Sequence, residues 1–386
     1  MTSASYHHLY PFSPWGLHGG TLRLRTAVEA SRLHGTTTFS WWDNTQGKWR
    51  SDVAVEQIGA PDPAPTSVSR APAAARLKRT VFPFVLWEAG RRPRSRAAHV
   101  LAEQPQATLV LHTTFMAPLA DELRRSGRRV VVDVHDAIFR GHMDEAAGGA
   151  PIAMRPVRTV YAASVRHRER RALASATRLP VAGWDDTRML KGLGLTAAQW
   201  APTGLEAQLS PMPEHGQLRV GLLGNFFHSA TSGAATELLA SPLARDPAVE
   251  VILAGIGSER YAASTKVRAL GPIASTDEFY DRVHATVVPV TNGTGMKCKL
   301  GEASLAGKAV ITTQLGAAGY PPALRSAFIV VSSAATLDKR LVIDTIEHVS
   351  PDALRAQFEP VVGREAAAHT YAEILGTVGN PSFALQ

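Results

Sequence analysis

Short apolar runs recur along the chain, separated by longer stretches in which apolar residues return every third or fourth position. In the first half the runs fall at 8–12, 38–42, 81–87, 108–112, 130–134, 178–182 and 199–201. In the second half they are cleaner: RVGLLG (219–224), VEVILAG (249–255), VRALGPI (267–273), ATVVPV (285–290), KAVITT (308–313) and AFIVVSS (327–333). Runs this short, without polar alternation, predict strands buried on both faces. Helical periodicity occupies 21–33, 118–126, 165–173, 234–239, 276–283, 299–306, 335–349 and 364–375. The first of these stops near Gly35, and the second places Pro118 in its first turn and Gly127 after its last, as helix ends prefer. Alternating strands and helices predict an α/β fold with parallel sheets covered on both sides.

A chain of 386 residues exceeds what one compact core sustains, so two domains are expected. The polar, proline-containing stretch LSPMPEHGQ (209–217) reads as the linker. The expected division is residues 1–208, residues 209–363, and a helix and tail at 364–386 that crosses back to the first domain. Both domains read as doubly wound and Rossmann-like, facing a central cleft at the carboxyl ends of their strands, where open α/β sheets bind ligands. The Pro- and Ala-rich stretch 60–75 reads as a surface loop.

Composition narrows the function classes. With 45% hydrophobic and 19% charged residues the chain is a globular protein rather than a disordered one. It has no apolar run long enough to span a bilayer and no secretion signal at its start. A single cysteine, Cys298, excludes an internal disulfide and predicts a cytoplasmic location. The net charge of +8 admits a nucleic acid, a membrane surface or a small anionic substrate as partner. Arginines crowd at Arg91, Arg92, Arg94 and Arg96, and again at Arg166, Arg168, Arg170 and Arg171. The second group lies in a helical pattern and reads as a solvated face. Few aromatics accompany either group, which argues against a stacking platform for single strands. No amphipathic basic helix stands out, so a soluble acceptor is expected over a lipid one.

Candidate chemistry sits just after the strands. NGTGMKCKLGE (292–302) follows the run ending at Val290. Gly293 and Gly295 let the backbone turn tightly and approach a ligand. The helix beginning there points its N–H groups at an anion, and Lys297 adds a full charge. The spacing is neither that of a Walker loop nor that of a dinucleotide fingerprint. Glu302 would repel phosphate but suits a ribose hydroxyl pair, so phosphate at the loop and ribose at Glu302 describe a bound nucleotide. In DVHD, Asp133 and His135 share one face of a strand, so Asp133 would orient a ring that donates to a sugar or carries a proton. A buried histidine bonded to a carbonyl is the alternative. His135 with its two acids would suit a metal, but no D-x-D motif occurs, and no metal or other cofactor is expected. Asp185 and Asp186 either cap the next helix or face the cleft, and Trp184 beside them either stacks on an acceptor or packs inside.

The run VVPVTNGTGMKCKLGEASLAGKAVITTQLGAAGY (287–320) resembles the nucleotide-sugar site of retaining family 4 glycosyltransferases and their relatives with the GT-B fold. GLHGGTLRLRTAVEASRLHG (16–35), PTGLE (202–206) and GNFFHSA (224–230) extend the resemblance over most of the chain. It implies a hexosyl-type transfer from a nucleotide-diphosphate sugar to a small-molecule acceptor, and the richness in Ala, Arg and Gly suggests a bacterial biosynthetic setting in which that acceptor is a natural product or sugar. It places Gly19 and Gly20 under the diphosphate or beside the acceptor, and Gly224 and Asn225 along the donor. Thr294, Gly295 and Met296 would approach sugar and diphosphate by backbone, Lys297 would neutralise phosphate, and Glu302 would take the ribose. His135 would lie beside the transferred sugar, with Asp136, His18 and Trp184 on the acceptor side. Two departures stand out. Thr294 occupies the place of the first acid of the family's paired glutamates. The loop GNFFHSATSG has no arginine or lysine for the diphosphate, which leaves that role to Lys297 and Lys299. His18 would serve as general base in an inverting enzyme. A nucleotide-sugar epimerase or pseudo-glycosyltransferase on the same fold is the nearest rival, and a basic nucleic-acid-binding protein is a distant one.

Overall fold

A computed structural model describes residues 4–15, 18–58 (except 45, 47, 52, 55 and 56), 91–147 (except 104 and 145) and 152–376 (except 215 and 263–265). The strand expected at 81–87 and the loop at 60–75 lie outside the described residues. The chain divides into two compact units, Met1–Gly204 with Ala367–Gln386, and Leu205–Ala366.

The first unit is built on a sheet of β1 (Ala4–Tyr10), β2 (Gly35–Asp43), β3 (Lys48–Arg50), β4 (Thr108–His112) and β5 (Val130–Asp133), in the order β3-β2-β1-β4-β5. All pairs are parallel except β2 with β3. A further parallel pair, β6 (Leu179–Val181) and β7 (Ala198–Trp200), reaches the β5 edge through bridges at Val131 and Val134. The helices that matter below are α1 (Gly19–Arg32), α2 (Pro118–Arg125), α3 (Ile138–Asp144), α4 (Arg155–Leu173) and α5 (Trp184–Gly192). Both faces of the sheet are covered. Leu109, Leu111, Val130 and Val132 join one core cluster, and Val110 and Val131 join another with Ala27 and Ala30 of α1, so neighbouring residues on one strand feed opposite cores. β3 escaped the sequence pattern because Trp49 is flanked by two cations on a three-residue edge strand. α4 begins ten residues before the expected start, because Val157 and Val160 face solvent and blur its period.

The second unit carries β8 (Leu218–Leu223), β9 (Val249–Ala254), β10 (Val267–Gly271), β11 (Ala285–Val288), β12 (Ala309–Thr313) and β13 (Ile329–Val331). The order β10-β9-β8-β11-β12-β13 is parallel throughout. The chain winds outward from β8 to β10, then returns to β11 on the other side of β8. That reversal is the switch point at which such sheets bind ligands. Its helices include α6 (Ser229–Ala240), α7 (Cys298–Leu305), α8 (Lys339–His348), α9 (Pro351–Val362) and α10 (Arg364–Gly376). From Ala367 onward α10 belongs to the first unit, where Tyr371, Ile374 and Leu375 join the cluster of Tyr6 and Val110. The stretch expected as a linker is fastened within the second unit. Ser210 N–H donates to the Ala306 carbonyl at 3.1 Å, and the buried Lys308 Nζ donates to Pro211 O at 2.7 Å.

Candidate functional site

Two groups of strand-end residues carry the candidate chemistry, one in each unit. In the first unit β1, β4 and β5 bring three histidines and an aspartate together. Asp133 is fully buried, and both of its oxygens are engaged. Arg23, reaching from α1, donates to Oδ1 from Nε at 2.9 Å and from Nη2 at 2.6 Å. Oδ2 takes the His112 Nδ1 proton at 2.9 Å and lies 3.0 Å from His135 Nε2. Burial pushes the Asp133 carboxyl up, but Arg23, then His135 and the hydrogen bonds outweigh it and hold it well below the ordinary carboxylate range.

Behind Asp133 the polar chain continues inward. His112 Nε2 meets His8 Nδ1 at 2.9 Å, and His8 Nε2 meets Ser31 Oγ at 2.9 Å. Burial lowers the pKa of both rings, so both are neutral and the donor directions follow. His112 donates to the carboxylate and His8 to His112, and the Ser31 hydroxyl lies 2.9 Å from both His8 Nε2 and the Ala27 carbonyl, which share its one proton. The Arg23 guanidinium gives the group a permanent cation. It also donates from Nη1 to Ala201 O and Pro202 O, and stacks over Tyr371.

His135 follows β5 and is half-buried, with Tyr10 stacked 6.4 Å from it, centroid to centroid. The expected pairing of Asp133 with His135 is therefore present. What the sequence did not reveal is that Arg23, His8 and His112 complete the group. These lie 23 to 127 residues from His135 in three other elements, and no local motif links them. Among the described residues His112, Asp133 and His135 are the group whose ligand atoms approach within 4.8 Å.

His18 stands at the N-cap of α1. Its Nδ1 accepts from Thr21 N–H at 3.3 Å, and Thr21 Oγ1 accepts from His18 N–H at 3.1 Å, a reciprocal capping box. Gly19 opens the helix and is exposed. Gly20 must lack a side chain, since a Cβ there would stand 2.7 Å from the Tyr10 hydroxyl. Asp136 is exposed, with its carbonyl accepting from Thr114 Oγ1. Trp184 is half-buried and packs edge-on against Trp200 at 5.4 Å. Asp185 and Asp186 lie in the first turn of α5, but its N-cap is Gly183 and no side chain caps it; Asp186 instead faces Arg140 at 3.3 Å. They favour the helix dipole without capping it.

In the second unit the loops after β8 and β11 meet beside the switch point. Gly293 and Gly295 have φ of 101° and 73°, and Gly224 has φ of 154°, a region that favours glycine at all three. The close approaches explain the rest. A Cβ on Gly224 would stand 3.0 Å from Lys299 Nζ, and one on Gly293 would stand 3.3 Å from Ala230 of α6 and 3.5 Å from Lys297 Nζ. Lys299 Nζ donates to Thr231 Oγ1 at 3.2 Å. Burial and then Lys297 bring its pKa down to about 8, with Glu302 and Cys298 opposing. Lys297 folds back to donate to Thr294 O, so Lys299 is the lysine that faces the glycine of the β8 loop.

No side chain caps α7, whose N-cap is Lys297, or α6, whose N-cap is His228. Tyr320 fixes the start of α7, donating to Lys297 O and accepting from Gly301 N–H, each at 2.9 Å. Glu302 is half-buried, three residues beyond Lys299 and on the same helical face. Met296 is buried, its backbone closely packed on Gly319. The Asn225 side chain turns back to accept from Phe227 N–H. Thr231 and the α6 N-terminus escaped the sequence reading because a run of small residues carries no charge signal.

A family model described as "Glycosyl transferases group 1" matches residues 217–339. Across the whole chain the fold is similar to a sucrose-phosphate synthase from Thermosynechococcus elongatus, at TM-score 0.64 and 14% identity over 96% of this chain and 98% of that one. It is similar to HepE from Anabaena, solved with UDP and glucose, at TM-score 0.60 and 13% identity over 96% and 99%. It is also similar to a trehalose-6-phosphate protein from E. coli bound with UDP-2-fluoro glucose, at TM-score 0.59 and 12% identity over 96% and 98%. No curated protein sequence matches. Within the second unit, residues 217–339 thus match the model of that family, and the chain as a whole has the fold of these solved structures, the GT-B fold.

Proposed function

We propose that the protein transfers a sugar from a nucleotide-diphosphate donor to a small-molecule acceptor, with retention of configuration at the anomeric carbon. One observation carries the donor assignment. Around the switch point of the second unit, glycines with positive φ, two lysines and the open N-terminus of α7 converge, with Glu302 one turn along the same helix. This suits a diphosphate with a ribose attached. The UDP and UDP-sugar complexes of the structural neighbours make UDP-glucose the first donor to test.

In the reaction the bond from the anomeric carbon to the diphosphate oxygen breaks and negative charge grows on that oxygen. Lys299, Lys297 and the first N–H groups of α7 stabilise it. The departing oxygen takes the acceptor's hydroxyl proton as the new carbon–oxygen bond forms on the same face of the sugar. His18 supports retention. Because its Nδ1 accepts the Thr21 N–H, the neutral ring carries its proton on Nε2, so that nitrogen is a donor and not a base. On His135, Nε2 is turned to Asp133, which leaves Nδ1 for the sugar. The reading requires no metal. Arg23 already supplies the cation beside Asp133, and both carboxylate oxygens are engaged.

Calorimetry with UDP and UDP-glucose tests the donor, and NMR of the product tests the stereochemistry. Absence of any nucleotide binding, or an inverted product, refutes the corresponding half of the proposal. Glu302→Ala is expected to weaken UDP binding about 10- to 100-fold, the range for hydrogen bonds to a charged acceptor, with an unchanged melting temperature.

A further inference from the structure

We infer that the outward face of α4, with the turn that precedes it, docks on an anionic lipid bilayer. Of the twelve large hydrophobic residues exposed among the described ones, five fall within 143–160: Met143, Ile152, Met154, Val157 and Val160. Ile152 is 79% exposed and Val160 72%. Single exposed aliphatics are ordinary, but a cluster on adjoining elements is not.

The helix itself is strongly basic. It carries six arginines, and its single acid is Glu169. That acid does not balance the outer face. Glu169 is fully buried and turned inward, where its two oxygens accept the backbone N–H groups of Ile138 and Phe139 at 3.1 and 2.9 Å.

Helical geometry sorts these residues. Tyr161, Val165, Glu169 and Leu173 bury one side. At 100° per residue the opposite side runs Pro156, Val160, Ala163, His167, Arg171, aliphatic in its first half and basic in its second. Arg166 and Arg170 flank it and are exposed. A helix of 19 residues is about 28 Å long and lies in an interface with aliphatics among the acyl chains and arginines at the phosphates. Charge complementarity selects the anionic bilayer. A nucleic acid would use the arginines but leave Ile152, Val157 and Val160 without a role, and a purely apolar partner would place no counter-charge beside the exposed Arg166 and Arg171. The sequence pattern made no amphipathic basic helix stand out, because the full length of α4 was not legible in it. The pattern over 165–173 showed only the arginine half.

The inference does not depend on the transferase reading. Flotation of the full chain with vesicles of phosphatidylcholine, and of phosphatidylcholine mixed with phosphatidylglycerol, tests it. Binding is expected to the mixed vesicles only and to weaken with salt. Arg166→Ser with Arg171→Ser should weaken partition roughly 25-fold, at the usual contribution of a basic residue near an anionic surface. Val157→Ser with Val160→Ser should weaken it roughly tenfold, as loss of inserted apolar area requires. All four positions are exposed, so the variants should keep the parent melting temperature, which a thermal scan checks. No binding of the parent chain to the mixed vesicles overturns the inference. So does binding that the valine pair leaves unchanged, whether to vesicles or to duplex DNA, since that is attraction to any polyanion.

Discussion

Lys299 allows the donor assignment to be tested by counting protons. Its pKa is brought down to about 8 by burial and by Lys297. At pH 8 the free protein therefore carries about half a proton on this amine. A bound diphosphate adds negative charge beside it and returns the pKa toward the ordinary lysine value. Binding of UDP at pH 8 should then take up about half a proton, and uptake should approach one proton near pH 9. From pH 8 upward the dissociation constant should rise, nearing tenfold per pH unit. Calorimetry in two buffers of different ionisation enthalpy reads the uptake directly. Working above pH 7.5 keeps the terminal phosphate, with its second pKa of about 6, out of the measurement. Lys299→Met should abolish the uptake and flatten the pH dependence. Lys308 serves as a control, because burial also brings it to about 8, yet its ammonium is bound to Pro211 O, away from the glycine loops. Equal uptake by the parent and Lys299→Met, or no uptake at pH 8, refutes a diphosphate beside Lys299.

Three further outcomes follow from the packing. Gly20→Ala sets a Cβ against the buried Tyr10 hydroxyl, so chemical denaturation should show a loss of about 1–3 kcal/mol, largely recovered by adding Tyr10→Phe. Arg23→Met leaves Asp133 buried without its cation and should cost about 3–5 kcal/mol; Arg23→Met with Asp133→Leu should cost much less than the sum of the single changes, and additivity would deny the pair. Burial raises the Glu169 pKa to about 8, so the native state holds this proton where the unfolded chain releases it. Its stabilising effect is therefore full below the unfolded carboxyl range and lost as the pH rises through about 8. Denaturant midpoints for Glu169→Gln should consequently fall less than those of the parent between pH 5 and 8, at a loss of about 1 kcal/mol for one backbone N–H left without its acceptor.

The fold was legible to unequal depth in the two halves. All six strands of the second sheet stand within a few residues of the apolar runs; the central four, β8, β9, β11 and β12, are buried almost throughout and so need unbroken aliphatic stretches. In the first half β3 has one apolar residue to show, and the N-terminal half of α4 exposes its valines, so neither carries the period that marks burial. α9 was missed as well: Pro351 opens it and Pro360 lies within it, and prolines argue against a helix when read without its cap at Ser350. The candidate site followed the same logic. Gly293, Gly295, Lys297 and Glu302 lie within one short motif and were found together. Lys299 emerged as the lysine facing Gly224 only once the β8 loop was folded against α7. His8 and His112 joined Asp133 through the parallel pairing of β1, β4 and β5, and Arg23 reached it from α1, long-range contacts that no spacing along the chain encodes.

The return of α10 to the first unit sets an order of events during synthesis. Residues 205–366 are made between the two parts of that unit. At ordinary translation rates this interval is on the order of ten seconds, far longer than most domains need to fold. Throughout it, Tyr6, Ala27, Val110 and Val131 lack the cover that Tyr371, Ile374 and Leu375 later provide, and the face of Arg23 lacks its aromatic partner. The nascent first unit therefore waits with an apolar face open beside its histidine cluster. Its consolidation waits for α10, which is made only after the whole second unit.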